Sequence, residues 1–203
     1  MDALSRGRLV VHPTETVVSL SGDPRNDRAV EAARRLKGYA EPRPFLCLVP
    51  GIEAARRLAR EWPPAAEALA AAFWPGPLTL VLRAASDAPA AVSASGTIAL
   101  RPAADPVSSA LLSAWGGALF STSANARGGT PPAEVGEALA GLAGAAGSDA
   151  IEVALAPLAP AVSAGRPSTI VDVAVAPPRL VREGAIPAGT VRSAVPELSL
   201  VGG

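Results

Sequence analysis

Positive charge in this chain is carried almost entirely by arginine, and its one lysine is therefore conspicuous. The 203 residues contain seventeen arginines and a single lysine, Lys37. A compact ammonium and a planar guanidinium bind phosphate differently, so this lysine is a candidate phosphate ligand. It also lies at the predicted end of a helix, where any cation is stabilised by the helix dipole. His12 has no second histidine with which to form a metal site, so we expect a structural or peripheral role for it.

Hydroxyl side chains cluster in three short segments at predicted ends of strands. These segments are residues 13–16, 121–125 and 165–172. In α/β proteins the loops that follow strands often carry ligand groups, and hydroxyls together with an amide suit a small polar substrate or a nucleotide. By itself, segment 13–16 is explained better by a proline turn in which threonine side chains bond to the backbone, and segment 121–125 also fits a strand-to-loop turn with Asn125 in the left-handed conformation.

Two arginines close predicted apolar strands, where a guanidinium can clamp an anion through two parallel hydrogen bonds. Arg101 ends the run 97–101 and Arg182 ends the run 180–182, although either could be a surface residue that closes its strand. The sequence has no glycine-rich loop of the Walker type, so a nucleotide site must be of another kind. The single cysteine, Cys47, forms neither an intramolecular disulfide nor a cysteine-based zinc site.

The elements that must position these side chains alternate between strand and helix. Apolar runs predict strands at 9–11, 45–49, 78–82, 97–101, 118–120, 151–155, 169–175 and 180–182, with a polar loop after the first. Caps and turn residues predict helices at 27–37, 52–62, 65–73, 106–115 and 130–144. Helices separate the early strands but few separate the late ones, which indicates an α/β protein with a mixed sheet.

Composition limits the classes of protein that remain. An apolar content of 49% excludes a disordered chain, and the absence of net charge means that any tRNA or double-stranded RNA contact must be local. No apolar stretch reaches the length of a membrane span and the N-terminus has no signal-like apolar region, so we expect a cytoplasmic protein without membrane contact. We expect one domain over 1–203, with a mobile loop at 156–165 and a peripheral tail from about residue 190.

Taken in order, these motifs resemble the threonylcarbamoyl-AMP synthase family, the YrdC-like proteins. The segments that carry the resemblance are 13–17, 26–30, 36–38, 44, 74–80, 97–101, 122–125, 167–172 and 180–186. The resemblance implies a twisted mixed α/β sheet, flanked by helices, around a concave cavity. It also implies synthesis of threonylcarbamoyl-AMP and pyrophosphate from L-threonine, bicarbonate and ATP with Mg²⁺. The product would feed the transferase machinery that makes threonylcarbamoyladenosine in tRNA.

The same resemblance implies roles for particular residues. The catalytic residues would be Lys37 and Arg182. ATP would be held by Lys37, Arg43, Thr97, Ser123, Asn125 and Arg182. L-threonine would be held by Thr16, Arg101, Ser121 and Ser168, with Arg101 on the carboxylate. The resemblance assigns no metal ligand to the protein.

The chain departs from the family pattern at one cation. The family's lysine–any–arginine triplet reads Lys37, Gly38, Tyr39 here, so a tyrosine stands where a phosphate-binding arginine is usual. Arg43, four residues on, is a candidate substitute. Loss of a phosphate contact can lower the rate on the order of a hundredfold. An enzyme of reduced activity is therefore one of the alternatives.

Two other readings also stay open. A non-catalytic relative would bind RNA or nucleotide in the same cavity, and Tyr39 favours it because an aromatic ring can stack on a base. An enzyme of the same chemistry could act on another amino acid or carbamoyl acceptor, because residues 18–21 replace the tyrosine and glycines usual in the family.

Overall fold

The computed structural model describes residues 2–39, 41, 43–126, 128–155 and 165–200. Its helices are α1 (Asp2–Ser5), α2 (Asp27–Lys37), α3 (Ile52–Leu58), α4 (Pro64–Phe73), α5 (Pro106–Trp115), α6 (Val135–Leu142) and α7 (Ala188–Ala194). Its strands are β1 (Leu9–His12), β2 (Ser19–Gly22), β3 (Leu46–Val49), β4 (Leu78–Arg83), β5 (Ser93–Ala94), β6 (Thr97–Pro102), β7 (Leu119–Ser123), β8 (Ile151–Ala154), β9 (Thr169–Asp172), β10 (Arg179–Arg182) and β11 (Ser199–Leu200). The loop predicted at 156–165 lies outside the described residues except for Gly165.

All of these strands belong to one sheet. Its order is β11-β10-β9-β4-β6-β3-β7-β2-β1-β8, and β5 pairs with β6 beside this path. Parallel pairs such as β3 with β6 and β4 with β9 alternate with antiparallel pairs such as β4 with β6 and β3 with β7. The mixed α/β sheet predicted from the sequence is therefore confirmed.

The two faces of the sheet have different environments, because successive residues of a strand point to opposite sides. One face packs against α2, α4, α6 and α7 in the main core, through residues that include Leu20, Cys47, Leu100, Phe120 and Val171. Their neighbours in sequence point to the other face: Ser19, Leu46, Arg101, Ser121 and Ile170. A smaller apolar cluster joins α1 and α5 to that second face. Beside this cluster, the side chains of Ser19, Arg101 and Ser121 share the second face with Leu46 and Ile170 and line a cavity.

Helix α2 shows how local sequence fixes one candidate side chain. Asn26 caps the helix by accepting hydrogen bonds from the N–H groups of Arg28, at 3.1 Å, and Ala29, at 3.4 Å. Gly38 ends it in the left-handed conformation, with φ of 58°, which glycine adopts without strain. Lys37 is therefore held in the last turn, where it is only 5% exposed.

The secondary structure differs from the prediction in two segments. The segment after β1, predicted as a polar loop, contains β2, whose four residues are too few for a clear alternating pattern. The helix predicted at 52–62 ends at Leu58, because Ala59 is extended and forms an isolated bridge with Ala84. Pairing between distant segments decided both cases, and local sequence does not report such pairing.

A third helix starts later than predicted. The prediction began the helix at residue 130, whereas α6 begins at Val135. Pro131 and Pro132 instead form an irregular segment in which Pro132 accepts a hydrogen bond from the N–H of Val18, at 3.1 Å. Proline has no N–H to donate, so this segment serves the neighbouring loop as an acceptor rather than continuing a helix.

The C-terminal tail, expected to be peripheral, is packed over its described part. Val191, Val195 and Leu198 are at most 4% exposed and belong to the main core. Strand β11 pairs in parallel with β10 at the edge of the sheet. The expectation was wrong for residues 190–200 because the tail's apolar side chains fill a gap beside the sheet, and residues 201–203 lie outside the described chain. No helix in the described ranges has the length and apolar character needed to cross a membrane.

Candidate active site

A cavity of about 330 Å³ opens on the second face of the sheet, which carries Ser19, Arg101 and Ser121. Its lining residues are Thr16, Val17, Ser19, Tyr39, Pro44, Phe45, Leu46, Arg101, Ser121, Thr122, Ser123, Pro131, Pro167, Ser168, Ile170 and Arg182. Six residues predicted for substrate binding meet there: Thr16, Arg101, Ser121, Ser123, Ser168 and Arg182. They come from separate segments of the chain, so the fold brings together what the sequence keeps apart.

Arg101 is the most deeply buried cation in the cavity lining, with 4% exposure. Its NH1 group donates to Oγ1 of Thr16 at 3.0 Å, and its Nε lies 3.3 Å from Oε1 of Glu15. Burial lowers the pKa of Arg101, and the nearby carboxylate of Glu15 opposes that shift. A guanidinium held in this way can offer its remaining N–H groups to an anion in the cavity.

The loop that holds Arg101 is itself fixed by hydroxyl groups. Oγ1 of Thr14 accepts from the N–H groups of Thr16, at 3.1 Å, and Val17, at 3.2 Å, and donates to the carbonyl of Val17 at 2.6 Å. The Thr14 and Thr16 hydroxyls lie 2.8 Å apart. This is the backbone-bonded turn that the sequence left open, and it presents Thr16 to the cavity at the same time.

Arg182 is the second cation of the cavity lining. Its Nε and NH2 groups donate to the carbonyl of Ser168, at 3.2 and 2.8 Å. Partial burial lowers the pKa of Arg182, and the positive charge of Arg101 lowers it further. Two guanidiniums in one small cavity repel each other, so an anion bound between them is stabilised.

Further hydroxyls flank Arg101 on both sides along the sheet and form a polar wall of the cavity. Oγ of Ser121 donates to Oγ of Ser19 at 3.0 Å, across the antiparallel pair β2 and β7. Oγ of Ser168 lies 2.8 Å from Oγ1 of Thr79. Hydroxyl groups both donate and accept, so this wall can bind phosphate oxygens, a carboxylate or an alcohol.

Lys37 lies beside the cavity rather than in its lining. Its Nζ donates to the carbonyls of Ser123, at 2.9 Å, and Asn125, at 2.7 Å, and to Oδ1 of Asn125 at 3.1 Å. Burial lowers the pKa of Lys37 from 10.5 to about 8. The ammonium therefore holds the end of β7 and the turn after it, with Ser123 between it and the cavity.

Besides Lys37, three other predicted ATP ligands lie outside the cavity lining. Thr97 is at the opposite end of β6 from Arg101, and its hydroxyl donates to the carbonyl of Ala94 at 2.9 Å. Asn125 uses its Nδ2 on the carbonyls of Ala126 and Gly129. Arg43 is exposed, one residue before Pro44 of the cavity lining.

The structure adds three residues that the sequence predictions omitted from the site. Ser19 belongs to the unpredicted strand β2, whose four residues give no clear signal in the sequence. Glu15 contacts Arg101 from the loop after β1. Tyr39, noted in the sequence only as a departure, lines the cavity and packs on Phe45 with ring centroids 6.1 Å apart.

His12 anchors the first residue of the loop that holds Arg101. Its Nδ1 lies 3.0 Å from the carbonyl of Pro13 and 3.0 Å from Oγ of Ser108, and its Nε2 lies 2.9 Å from Oγ of Ser21. Burial lowers the pKa of His12 from 6.5 to about 4, so the ring is neutral at neutral pH. Both ring nitrogens have partners, as a structural role requires.

A mixed sheet whose open face carries two arginines and a row of hydroxyls defines an α/β protein built to bind small anionic ligands. A family model named Sua5/YciO/YrdC, described as telomere recombination, matches residues 2–184. The chain belongs to this family, and the resemblance found in the sequence is confirmed.

Individual relatives agree with this assignment. A threonylcarbamoyl-AMP synthase of Halorhodospira halophila is 45% identical over 142 residues, which are 66% of this chain and 71% of the relative. Sua5 of Pyrococcus abyssi in complex with L-threonine has a TM-score of 0.88 at 29% identity, and the match covers 98% of this chain. YciO of E. coli shares the fold, with a TM-score of 0.78 at 21% identity over 90% of this chain and 86% of that one. The chain spans only 57% of the Pyrococcus protein.

Proposed function

We propose that this protein is an L-threonylcarbamoyladenylate synthase, which forms threonylcarbamoyl-AMP and pyrophosphate from L-threonine, bicarbonate and ATP. The observation that carries the proposal is the meeting of Arg101 and Arg182 in one hydroxyl-lined cavity. The reaction joins two anions, a carbamate and a triphosphate, so it needs cations and hydroxyls at close quarters. The Halorhodospira relative, a threonylcarbamoyl-AMP synthase, supports the same reaction.

The amino-acid end of the cavity comprises Thr16, Arg101, Ser121 and Ser168. In our proposal Arg101 binds the threonine carboxylate, because it is fixed by Thr16 and keeps further N–H groups for a planar anion. The three hydroxyls bind the remaining polar groups of the substrate. The solved complex of Pyrococcus Sua5 with L-threonine supports an amino-acid ligand for this chain as well.

The nucleotide end comprises Tyr39, Ser123 and Arg182, with Lys37 beside them. In our proposal Arg182 contacts the phosphates, and Lys37 and Asn125 support them by holding the turn that presents Ser123. The two ends meet where Arg182 contacts Ser168. In our proposal threonine and ATP therefore bind side by side.

The chemistry follows from this placement. The threonine amine and bicarbonate give a carbamate and water, and a carbamate oxygen then attacks the α-phosphorus of ATP. The new P–O bond forms as the bond to pyrophosphate breaks, so the leaving group carries away the electron pair. The protein's contribution is to orient the two anions and stabilise the charge on the phosphates.

Mg²⁺ enters this proposal with ATP rather than as a resident metal. The described part of the chain has no group of three or more histidine, cysteine, aspartate or glutamate side chains placed to hold a metal ion. Mg²⁺ in phosphoryl transfer is often held mainly by substrate phosphates and water. In our proposal Mg²⁺ binds together with ATP, as a magnesium–ATP substrate complex.

The product determines the partner class. Threonylcarbamoyl-AMP is a reactive mixed anhydride, so a transferase must take it and deliver the threonylcarbamoyl group to tRNA. We place this work in the cytoplasm, where that tRNA is modified. Direct contact of this chain with tRNA or double-stranded RNA would have to be local, because the chain has no net charge.

One observation favours a second candidate, a relative that binds nucleotide or RNA without this catalysis or with another substrate. Tyr39 occupies the cavity where the family pattern has an arginine, so the nucleotide end has an aromatic ring in place of a cation. Aromatic rings stack on bases without sequence preference. Such a protein would keep the cavity but would not catalyse adenylation of threonine carbamate.

Mass spectrometry of the reaction mixture decides between these candidates. Purified protein is incubated with ATP, Mg²⁺, bicarbonate and L-threonine, beside the variants Lys37→Ala and Tyr39→Arg. We expect threonylcarbamoyl-AMP from the wild type and much less from Lys37→Ala. Product from Tyr39→Arg alone would show that the wild-type chain has kept the cavity and lost the chemistry.

A further inference from the structure

The carboxylate of Glu15 connects the amino-acid end of the cavity to the start of helix α5. Its Oε1 lies 3.3 Å from Nε of Arg101, and its Oε2 accepts hydrogen bonds from the N–H groups of Ala104, at 3.2 Å, and Asp105, at 3.4 Å. The side chain is 14% exposed. It is not part of the cavity lining, so its effect on a ligand must pass through Arg101.

The direction of this effect follows from which partner is fixed. Two backbone N–H groups hold Oε2, and Asp105 caps α5 by accepting from the N–H groups of Val107, at 2.9 Å, and Ser108, at 3.1 Å. Backbone at a capped helix start is rigid compared with an arginine side chain, which has several rotatable bonds. Glu15 is therefore the fixed member of the pair, and Arg101 adjusts to it.

Charge adds a second constraint on Arg101. Nε of Arg101 and Oε1 of Glu15 are both buried, and neither atom has a hydrogen-bond partner within the described residues. Their contact is thus an attraction between charges rather than a formed hydrogen bond. It counteracts the repulsion between Arg101 and Arg182 and keeps the Arg101 guanidinium at the Thr16 side of the cavity.

We propose that Glu15 is a positioning residue for the amino-acid substrate: it sets the orientation of Arg101 and thereby the affinity for the threonine carboxylate, without touching the substrate. This inference rests on the proposed function. It also predicts that Glu15 affects threonine and ATP differently, because among the described residues its contacts are with Arg101 and the α5 start rather than with the nucleotide end.

The test uses Glu15→Gln, which keeps the shape and removes the charge. One amide oxygen cannot serve both Arg101 and the two backbone N–H groups, so the guanidinium loses its alignment. We expect the KM and Kd for L-threonine to rise at least tenfold, with the Kd for ATP and the kcat changed less than threefold. Glu31→Gln, an exposed glutamate on α2, is the matched control and should behave as wild type.

A double substitution separates positioning from general stability. If Glu15 acts through Arg101, adding Glu15→Gln to Arg101→Met should cause no further loss of threonine affinity, measured by calorimetry at saturating ATP. An equal rise in both Kd values, or an unchanged threonine Kd in Glu15→Gln, would overturn the inference. Wild-type protein that binds no threonine and makes no product would instead refute the proposed function, and the inference with it.

Discussion

The two ends of the cavity differ in how directly their cations face it. At the amino-acid end, Arg101 is buried, lines the cavity and has partners in Glu15 and Thr16. At the nucleotide end, Lys37 is turned onto the carbonyls of Ser123 and Asn125, and Tyr39 stands in place of an arginine. Arg182 is the cation that serves the nucleotide end within the lining. Affinity for the amino acid should thus depend on one rigid contact, and affinity for the nucleotide on several weaker ones.

Removal of Arg101 tests the stronger end and should have the largest effect. Arg101→Ala leaves Glu15 without its cation and removes the clamp on the carboxylate, so we expect threonine affinity to fall at least a hundredfold, about 3 kcal/mol. The Kd for ATP should change only a few-fold. Calorimetric titration with each substrate measures both.

Arg179→Ala is the matched control for this experiment. Arg179 is a half-exposed arginine at the other end of β10 from Arg182, and its partner is Asp172 rather than a cavity residue. Its removal should leave threonine affinity unchanged. Unchanged threonine affinity in Arg101→Ala would show that Arg101 does not bind threonine. The proposed difference between the amino-acid end and the nucleotide end would then be wrong.

Acid should destabilise the region around His12, which anchors the loop of the amino-acid end, before it affects the nucleotide end. The pKa of His12 is about 4 in the folded protein against 6.5 in the unfolded chain, so the unfolded chain binds the proton first. His12 therefore contributes its full stability above pH 6.5, and about 3 kcal/mol of unfolding free energy is lost as the pH falls to 4.

Urea unfolding at pH 7, 5.5 and 4 measures this loss. His12→Gln does not titrate in that range, so its stability should decline less steeply than that of the wild type. Parallel pH profiles for the two proteins would show that protonation of His12 is not what loosens this end.

Replacement of Lys37 tests whether the nucleotide end depends on the turn after β7. In Lys37→Ala the carbonyls of Ser123 and Asn125 lose their shared donor, so we expect ATP affinity to fall roughly tenfold to thirtyfold. Threonine affinity should hold within a few-fold. Arg35→Ala, an exposed cation on the same helix, is the control for a general change of charge.

Substitution of Tyr39 should have the smallest effect and shows what replaced the family arginine. Tyr39→Arg restores a cation beside the phosphates, so we expect ATP affinity to rise roughly tenfold at low salt and to depend more steeply on salt concentration. Tyr39→Phe should match the wild type if the ring packs on the nucleotide. If Tyr39→Phe instead lowered the affinity for ATP but not for adenosine, the Tyr39 hydroxyl would be shown to contact the phosphates.

The agreement between sequence and structure differs between the two ends. Thr16, Arg101, Ser121 and Ser168 all line the cavity, as expected from short motifs with a fixed place at strand ends. At the nucleotide end the motifs located Ser123 and Arg182, whereas Thr97 and Arg43 lie outside the lining. Thr97 and Arg101 belong to one motif, yet only Arg101 lines the cavity. The direction of each side chain depends on neighbours that the local sequence does not specify.

Secondary structure shows the same division. Helix α2 was predicted with Asn26 or Asp27 as its cap and an end at about Lys37, and the structure agrees, because the Asn26 cap and the left-handed Gly38 are local signals. Strand β2 was missed because its four residues become a strand only through pairing with β1 and β7. The tail after residue 190 was wrongly predicted to be peripheral, because burial of Val191 and Val195 depends on their packing with the rest of the main core.

Sequence alone determined the family and the mixed α/β class and located six residues of the cavity lining, because caps, turns and strand-end motifs are local and specific. Only the tertiary structure decided that Lys37 supports a turn instead of lining the cavity, and that Glu15 lies against Arg101. Both outcomes depend on contacts between segments more than 80 residues apart. Such contacts arise from the packing of the whole sheet, which no single segment encodes.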